Sequence, residues 1–133
     1  MNRLIISKTS WGIVIFYEIK ELLDLSKDAN DVQEVLPSIY LKLNDQKLDD
    51  VSFEYLMAGI KSIIQHIKIS PVTFSIEKLQ YNICDYQPEG MYYMFRKWFF
   101  ETYDMEMPPI NVYYDKEVSR YVFPDLLNQF NKT

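Results

Sequence analysis

Leu79 to Met105 reads LQYNICDYQPEGMYYMFRKWFFETYDM, and the fold turns on where its strand stops and its helix starts. Leu79, Tyr81 and Ile83 recur at every second position, the pattern of a strand with one buried face, so a strand is expected to run to Cys84-Asp85. Pro88 is tolerated in a first helical turn, whose N–H groups lack intrahelical acceptors. Glu89 suits the positive end of the helix dipole, and Asp85 or Gln87 is the expected cap. Beyond them Met91, Met94, Phe95, Trp98 and Thr102 recur at helical spacing and define an inward face flanked by Tyr92 and Phe99. Tyr93, Arg96, Lys97, Phe100, Glu101 and Asp104 are left pointing outward, and Pro108-Pro109 stops the helix.

Upstream, Val72, Phe74 and Ile76 alternate with Thr73, Ser75 and Glu77, yet Leu79, Tyr81 and Ile83 occupy the other parity. A bulge near Glu77-Lys78, or a sheet covered on both faces, reconciles the two halves. Val51 to Lys68 is the clearest helix, because Phe53, Leu56, Met57, Ile60, Ile63, Ile64 and Ile67 share one arc. Asp50, Ser52 and Glu54 supply capping and dipole-compatible charge at its start, His66 falls on its wet face, and Ser70-Pro71 closes it. Asn44 to Asp50 reads as an exposed polar loop. Ile39, Leu41 and Leu43 alternate as a short strand or a helical turn, and Asp31 to Leu36 reads as a short helix ended by Pro37. Arg3 to Ser7 fits a first strand. Trp11 to Leu25 fits a helix capped by Thr9 or Ser10, but its Ile13-Val14-Ile15 cluster suits a buried strand equally well.

Downstream, Ile110, Val112 and Tyr114 form a strand that returns through Asp115 to Ser119 into Arg120 to Phe123, a β-hairpin followed by a helical turn over Asp125 to Phe130. The expected architecture is α+β: a mainly antiparallel β-sheet with about three helices packed against it, in a single domain over residues 1–133.

Apolar residues make up 48% and charged residues 25% of the chain, which excludes wholesale disorder. The longest apolar run, Trp11 to Tyr17, is far short of the roughly 20 residues a membrane helix needs. Glu18, Lys20 and Glu21 stand after it, where a signal peptide would carry the small residues of a cleavage site. Cys84 is the single cysteine, so no internal disulfide can form and the expected location is the cytoplasm. The net charge of −5 is concentrated, with ten acids against four lysines between Glu18 and Glu54. Such a field repels phosphates and anionic membranes and attracts basic partners, so neither nucleic acid nor membrane is an expected partner.

The chemistry-bearing residues are sparse. Nucleophilic catalysis needs an activated serine or cysteine, and only His66 and Cys84 offer themselves, one on a wet helix face and the other at the end of a buried-looking strand. Two isolated nitrogen or sulfur ligands cannot close a metal site, and the acids from Asp45 to Glu54 lack calcium-loop spacing. The three glycines are too scattered to cradle a phosphate. Asp85 and Glu89 are sufficiently explained as a cap and a first-turn acid. No catalytic residue, metal or cofactor is therefore expected. Two features favour protein binding: the acidic region, which a merely solvated face would also explain, and Tyr93 with Phe100, seven positions apart on the outward helix face, since exposed aromatics enrich interfaces unless the Asp125 to Phe130 tail packs over them.

The run Asn82-Ile-Cys-Asp-Tyr-Gln-Pro-Glu-Gly-Met-Tyr-Tyr, the Trp98 helix and Pro108-Pro109-Ile-Asn-Val-Tyr-Tyr-Asp-Lys resemble small bacterial immunity proteins. These are the antidotes of contact-dependent growth inhibition and related polymorphic toxin systems. The resemblance covers Leu79 to Phe123 and rests on a fold-building pattern, so no functional residue is carried over from it. It implies a cytoplasmic, non-catalytic protein that binds a cognate toxin domain and blocks its active site or substrate surface. Many such toxins are nucleases with basic clefts, which an acidic protein suits. Asp28, Asp31, Glu34, Asp45, Asp49 and Asp50 are then the expected contacts, with Tyr93 and Phe100 beside them. The alternative is a small regulatory or adaptor subunit that binds an endogenous protein.

Overall fold

Side-chain alternation sets the first two strands of the computed structural model, which describes residues 1–23, 32–68 and 70–130. β1 (Asn2–Ser7) and β2 (Gly12–Leu22) pair antiparallel, bringing Leu4, Ile6, Ile13, Ile15, Tyr17 and Ile19 onto one buried face. Ile5, Phe16 and Lys20 stand on the other, exposed face. Between the helix and the strand expected of Trp11 to Leu25, Gly12–Leu22 is strand, where branched side chains pack well on a pleated surface, and Asp24 and Leu25 lie outside the described residues. β3 (Val32–Leu36), β4 (Ile39–Lys42) and β5 (Val72–Gln80) complete a five-stranded sheet of order β1-β2-β5-β4-β3, antiparallel except between β4 and β5.

The short helix expected over Asp31 to Leu36 is corrected: Val32 to Leu36 is β3. Pro37 and Ser38, the latter at φ 67°, make a tight turn that folds this segment back onto β4, and pairing outweighs a weak local helical preference. The phase slip in β5 is a bulge. Glu18 faces Lys78 while Ile19 faces Ile76, so Glu77 is the extra residue, and Leu79 returns to the inner face opposite Tyr17.

α1 (Asp50–Ser62) links β4 to its parallel neighbour β5, with Asp49 as the cap accepting from the Ser52 amide. It ends earlier than Lys68. Ser62 Oγ donates to the Gly59 carbonyl at 2.7 Å, a 3-10 turn over Ile64–His66 follows, and Ile64 is 40% exposed rather than on the inner arc. His66 is half-buried, its ring 5.6 Å from that of Phe100, and is not on a wet face.

α2 (Gly90–Thr102) lies across the buried face, with Phe95 and Trp98 edge-on to Phe74 at 5.1 and 5.7 Å. α1 approaches it backbone to backbone: a Cβ on Gly59 would sit 2.8 Å from the Tyr92 carbonyl oxygen. β6 (Tyr113–Asp115) and β7 (Arg120–Val122) form the expected hairpin, and α3 (Pro124–Phe130) follows. The hairpin closes over the β1–β2 turn. Tyr121 Oη accepts from the Lys8 amide at 2.7 Å and donates to the Trp11 carbonyl at 2.6 Å. Gln87 is buried against β7, Oε1 accepting from the Tyr121 amide at 2.6 Å and Nε2 donating to the Tyr121 carbonyl at 3.0 Å.

Three expectations at the strand-to-helix junction are therefore corrected. The strand stops at Gln80, and Ile83–Asp85 form a 3-10 turn in which Cys84 is exposed, because Asn82 Oδ1 captures the Cys84 amide at 2.9 Å. Neither Asp85 nor Gln87 caps α2, whose N-cap position is Glu89 without a side-chain bond. Thr102, placed on the inward face by periodicity, is exposed in the last turn.

Candidate functional site

The acidic rim is built on a pinned loop. Asn44 Nδ2 reaches Ser75 Oγ (2.7 Å), the Ile76 carbonyl (3.0 Å) and Glu77 Oε2 (2.9 Å), so the segment after β4 is anchored to the β5 bulge. Asn44 and Asp45 both take positive φ, 53° and 66°, which short polar side chains tolerate and which turns Asp45 outward. Asp49 and Asp50 follow at the start of α1, with Glu54 one turn on, all exposed. The Ser52 hydroxyl and amide at Asp49 hold its carboxyl below the usual carboxylate range.

Glu34 is exposed on β3 opposite Tyr40, on the sheet face opposite the one that α2 covers. The structure thus unites Asp45, Asp49 and Asp50 but does not bring Glu34 to them. Asp28 and Asp31 lie outside the described residues. Four acids elsewhere are matched: Glu18 with Lys78 at 3.7 Å, Glu77 with Lys20 at 3.8 Å, Glu89 with Arg120 at 3.1 Å, and Glu101 with Lys97, whereas Glu54, Asp85, Asp104, Glu106, Asp115, Glu117 and Asp125 make no ion pair among the described residues. Among the described residues Glu34, Asp45, Asp49 and Asp50 have no such cation, so the rim keeps its charge.

Tyr93 and Phe100 are corrected. Both are 4% exposed and unavailable to a partner. Helical periodicity placed them outward, but α2 is covered on more than one side: Phe123 lies 5.1 Å from the Tyr93 ring, and Phe100 sits beneath His66 and the Arg96 guanidinium at 5.2 Å. Burial also pushes the Tyr93 hydroxyl above its ordinary range.

What periodicity missed lies beside the rim. Ser52 Oγ, one turn into α1, hydrogen-bonds Tyr86 Oη, and Tyr86 stacks on Tyr81 at 3.8 Å with 15° between planes. These rings support the Asn82-capped turn, which lifts Ile83 to 85% exposure. A shallow groove of about 380 Å³ runs from this turn onto the outer side of β2 and the end of β5, lined by Val14, Phe16, Gln80, Tyr81, Asn82 and Asp85. The signal was present in Asn82, whose side chain favours a turn two residues on over a continued strand.

A second concavity, about 320 Å³, opens where β2, β5 and the end of α2 meet. Phe74, Phe99 and Met105 line it together with Glu21, His66 and Lys68. Tyr103 Oη donates to Glu21, whose carboxyl is pushed up by burial. This cleft is not joined to Cys84: His66 precedes the start of β5 and Cys84 follows its end, and nine extended residues span roughly 30 Å. Glu89 turns to Arg120 and away from any partnership with Asp85. Among the described residues no group of three or more His, Cys, Asp or Glu is placed to hold a metal ion, and no helix is long and apolar enough to cross a membrane.

Fold and surface together define a small α+β domain: a five-stranded, mostly antiparallel sheet, a separate hairpin, three helices, and an acidic rim after β4. No family model, curated protein or solved structure matches the chain.

Proposed function

We propose that the protein is an immunity protein, a non-catalytic cytoplasmic inhibitor that neutralises a cognate toxin domain by covering its active site or substrate surface. The observation that carries this reading is the rim of Asp45, Asp49 and Asp50, charged, unpaired and mounted on a loop tied down by Asn44. A rigid acidic edge loses little conformational freedom on binding and speeds encounter with a basic cleft, the kind that nucleases use to hold phosphates. The resemblance of Leu79 to Phe123 to immunity proteins supports the same partner.

An immunity role requires a toxic C-terminal domain encoded just upstream, and the test is co-expression with that domain, scored by growth rescue and by the affinity of the purified pair. Asp45→Asn with Asp50→Asn removes charge while leaving Asp49 to cap α1, and asparagine suits the positive φ at position 45. Affinity should fall about tenfold or more at low salt, and its salt dependence should flatten. No rescue overturns the immunity role; unchanged affinity overturns the acidic rim.

A further inference from the structure

The acidic rim explains attraction and encounter but not what holds a bound partner, since exposed charge pairs contribute little to lifetime. An apolar anchor is needed, and the described surface offers one next to the rim. Ile83 is 85% exposed, the highest among the large apolar side chains described. It is not on a loose loop. The Asn82 side chain caps its turn at 2.9 Å, the Asp85 amide closes the turn onto the Asn82 carbonyl at 2.8 Å, and the stacked Tyr81 and Tyr86 rings brace it from α1 through Ser52. A β-branched side chain on such a support has few conformations to lose.

We infer that Ile83 is the apolar anchor of the partner interface, seating in a recess of a basic protein surface while the neighbouring groove takes an apolar residue of that partner in return. The inference rests on the toxin-binding reading and names the part of the surface that sets residence time. Charge selects the partner's chemistry. Asp85 borders the groove on the Ile83 side, and Asp49, Asp50 and Asp45 continue from Ser52 beyond Tyr86. Lys78, the cation closest in sequence on β5, is already paired with Glu18, and Arg3 stands on β1 opposite Phe16. An apolar knob bounded by unpaired carboxylates fits a hydrophobic recess ringed by lysine or arginine, and it disfavours a second copy of this acidic chain.

Cys84, exposed beside Ile83 and the chain's single cysteine, gives a footprint that needs no mutation. Its alkylation by a maleimide, read by mass spectrometry of this chain, should slow about tenfold or more when the purified toxin domain is added. Ile83→Ser should leave the melting temperature of the free protein unchanged and weaken toxin binding roughly 30-fold, mainly through faster dissociation, with the salt dependence of association preserved. That preserved salt dependence separates the anchor from the rim, whose neutralisation flattens it. If the toxin domain binds but neither protects Cys84 nor discriminates Ile83→Ser, the anchor is refuted while the immunity role stands. If the toxin domain does not bind at all, both fall. Dimerisation of the free protein lost in Ile83→Ser would overturn the inference in favour of a self-association surface.

Discussion

Replacing Gln87 by alanine should remove one of the costliest side chains in the molecule, although it lies outside the five-stranded sheet and the candidate interface. Gln87 is 5% exposed, and its amide accepts from the Tyr121 N–H and donates to the Tyr121 C=O, as a neighbouring strand would. Alanine leaves both backbone groups buried without partners, at about 1–3 kcal/mol each, so roughly 3 kcal/mol in total is expected after partial relaxation. For a chain of this size that lowers Tm by about 10 °C. Urea unfolding monitored by far-UV dichroism measures the loss. Trp11, packed 5.0 Å from Tyr121, gives a local fluorescence reading of whether the hairpin detaches first. Gln87→Glu sharpens the test because it retains the acceptor and loses the donor. At neutral pH it should be no more stable than the alanine variant. As pH falls, the folded state gains the proton that can be donated to the Tyr121 carbonyl, so stability should rise. An alanine variant that melts within about 2 °C of the parent would refute the reasoning, since two orphaned backbone groups cannot cost so little.

Two further outcomes test the interior and the cleft. Gly59→Ala places a Cβ 2.8 Å from the Tyr92 carbonyl oxygen, so overpacking against backbone, about 1–3 kcal/mol, should exceed the gain of about 1 kcal/mol in helix propensity; equal or greater stability in urea would disprove the tight α1–α2 approach. Glu21, whose carboxyl is raised by burial, binds its proton more tightly folded than unfolded. Its contribution is present below the ordinary glutamate range and lost as pH rises through the folded value, so Glu21→Gln should flatten that part of the stability profile. A profile identical to the parent's would remove Glu21 from the account.

The elements that stood out in sequence are those whose local chemistry agreed with their surroundings. α1 was legible from its apolar arc and the β6–β7 hairpin from its alternation, while the change of parity in β5 fitted a bulge and a two-sided sheet equally until the register chose the bulge. Residues 11–25 were not, because a β-branched cluster reads the same in a buried strand and a short helix until β1 is seen pairing with it. Tyr93 and Phe100 misled for a different reason: a single-face helical pattern assumes one covered side, whereas α2 is covered by sheet, α1 and the C-terminal segment. The acids were found by composition, which reports charge but not grouping; Glu34 stands on β3, whereas Asp45, Asp49 and Asp50 share the loop and helix start after β4. Ile83 was hidden by its parity with Leu79 and Tyr81, which extended the strand past its end.

The Tyr121 hydroxyl bears on the order in which the protein is made. It satisfies the amide of Lys8 and the carbonyl of Trp11 at the first turn of the chain, from more than a hundred residues downstream. During synthesis the β1–β2 hairpin emerges early, yet the groups at its turn wait in water for a partner not yet translated. β5, which joins that hairpin to the rest of the sheet, also arrives late. The N-terminal half is therefore held short of its final state until the segment that carries Tyr121 has left the ribosome.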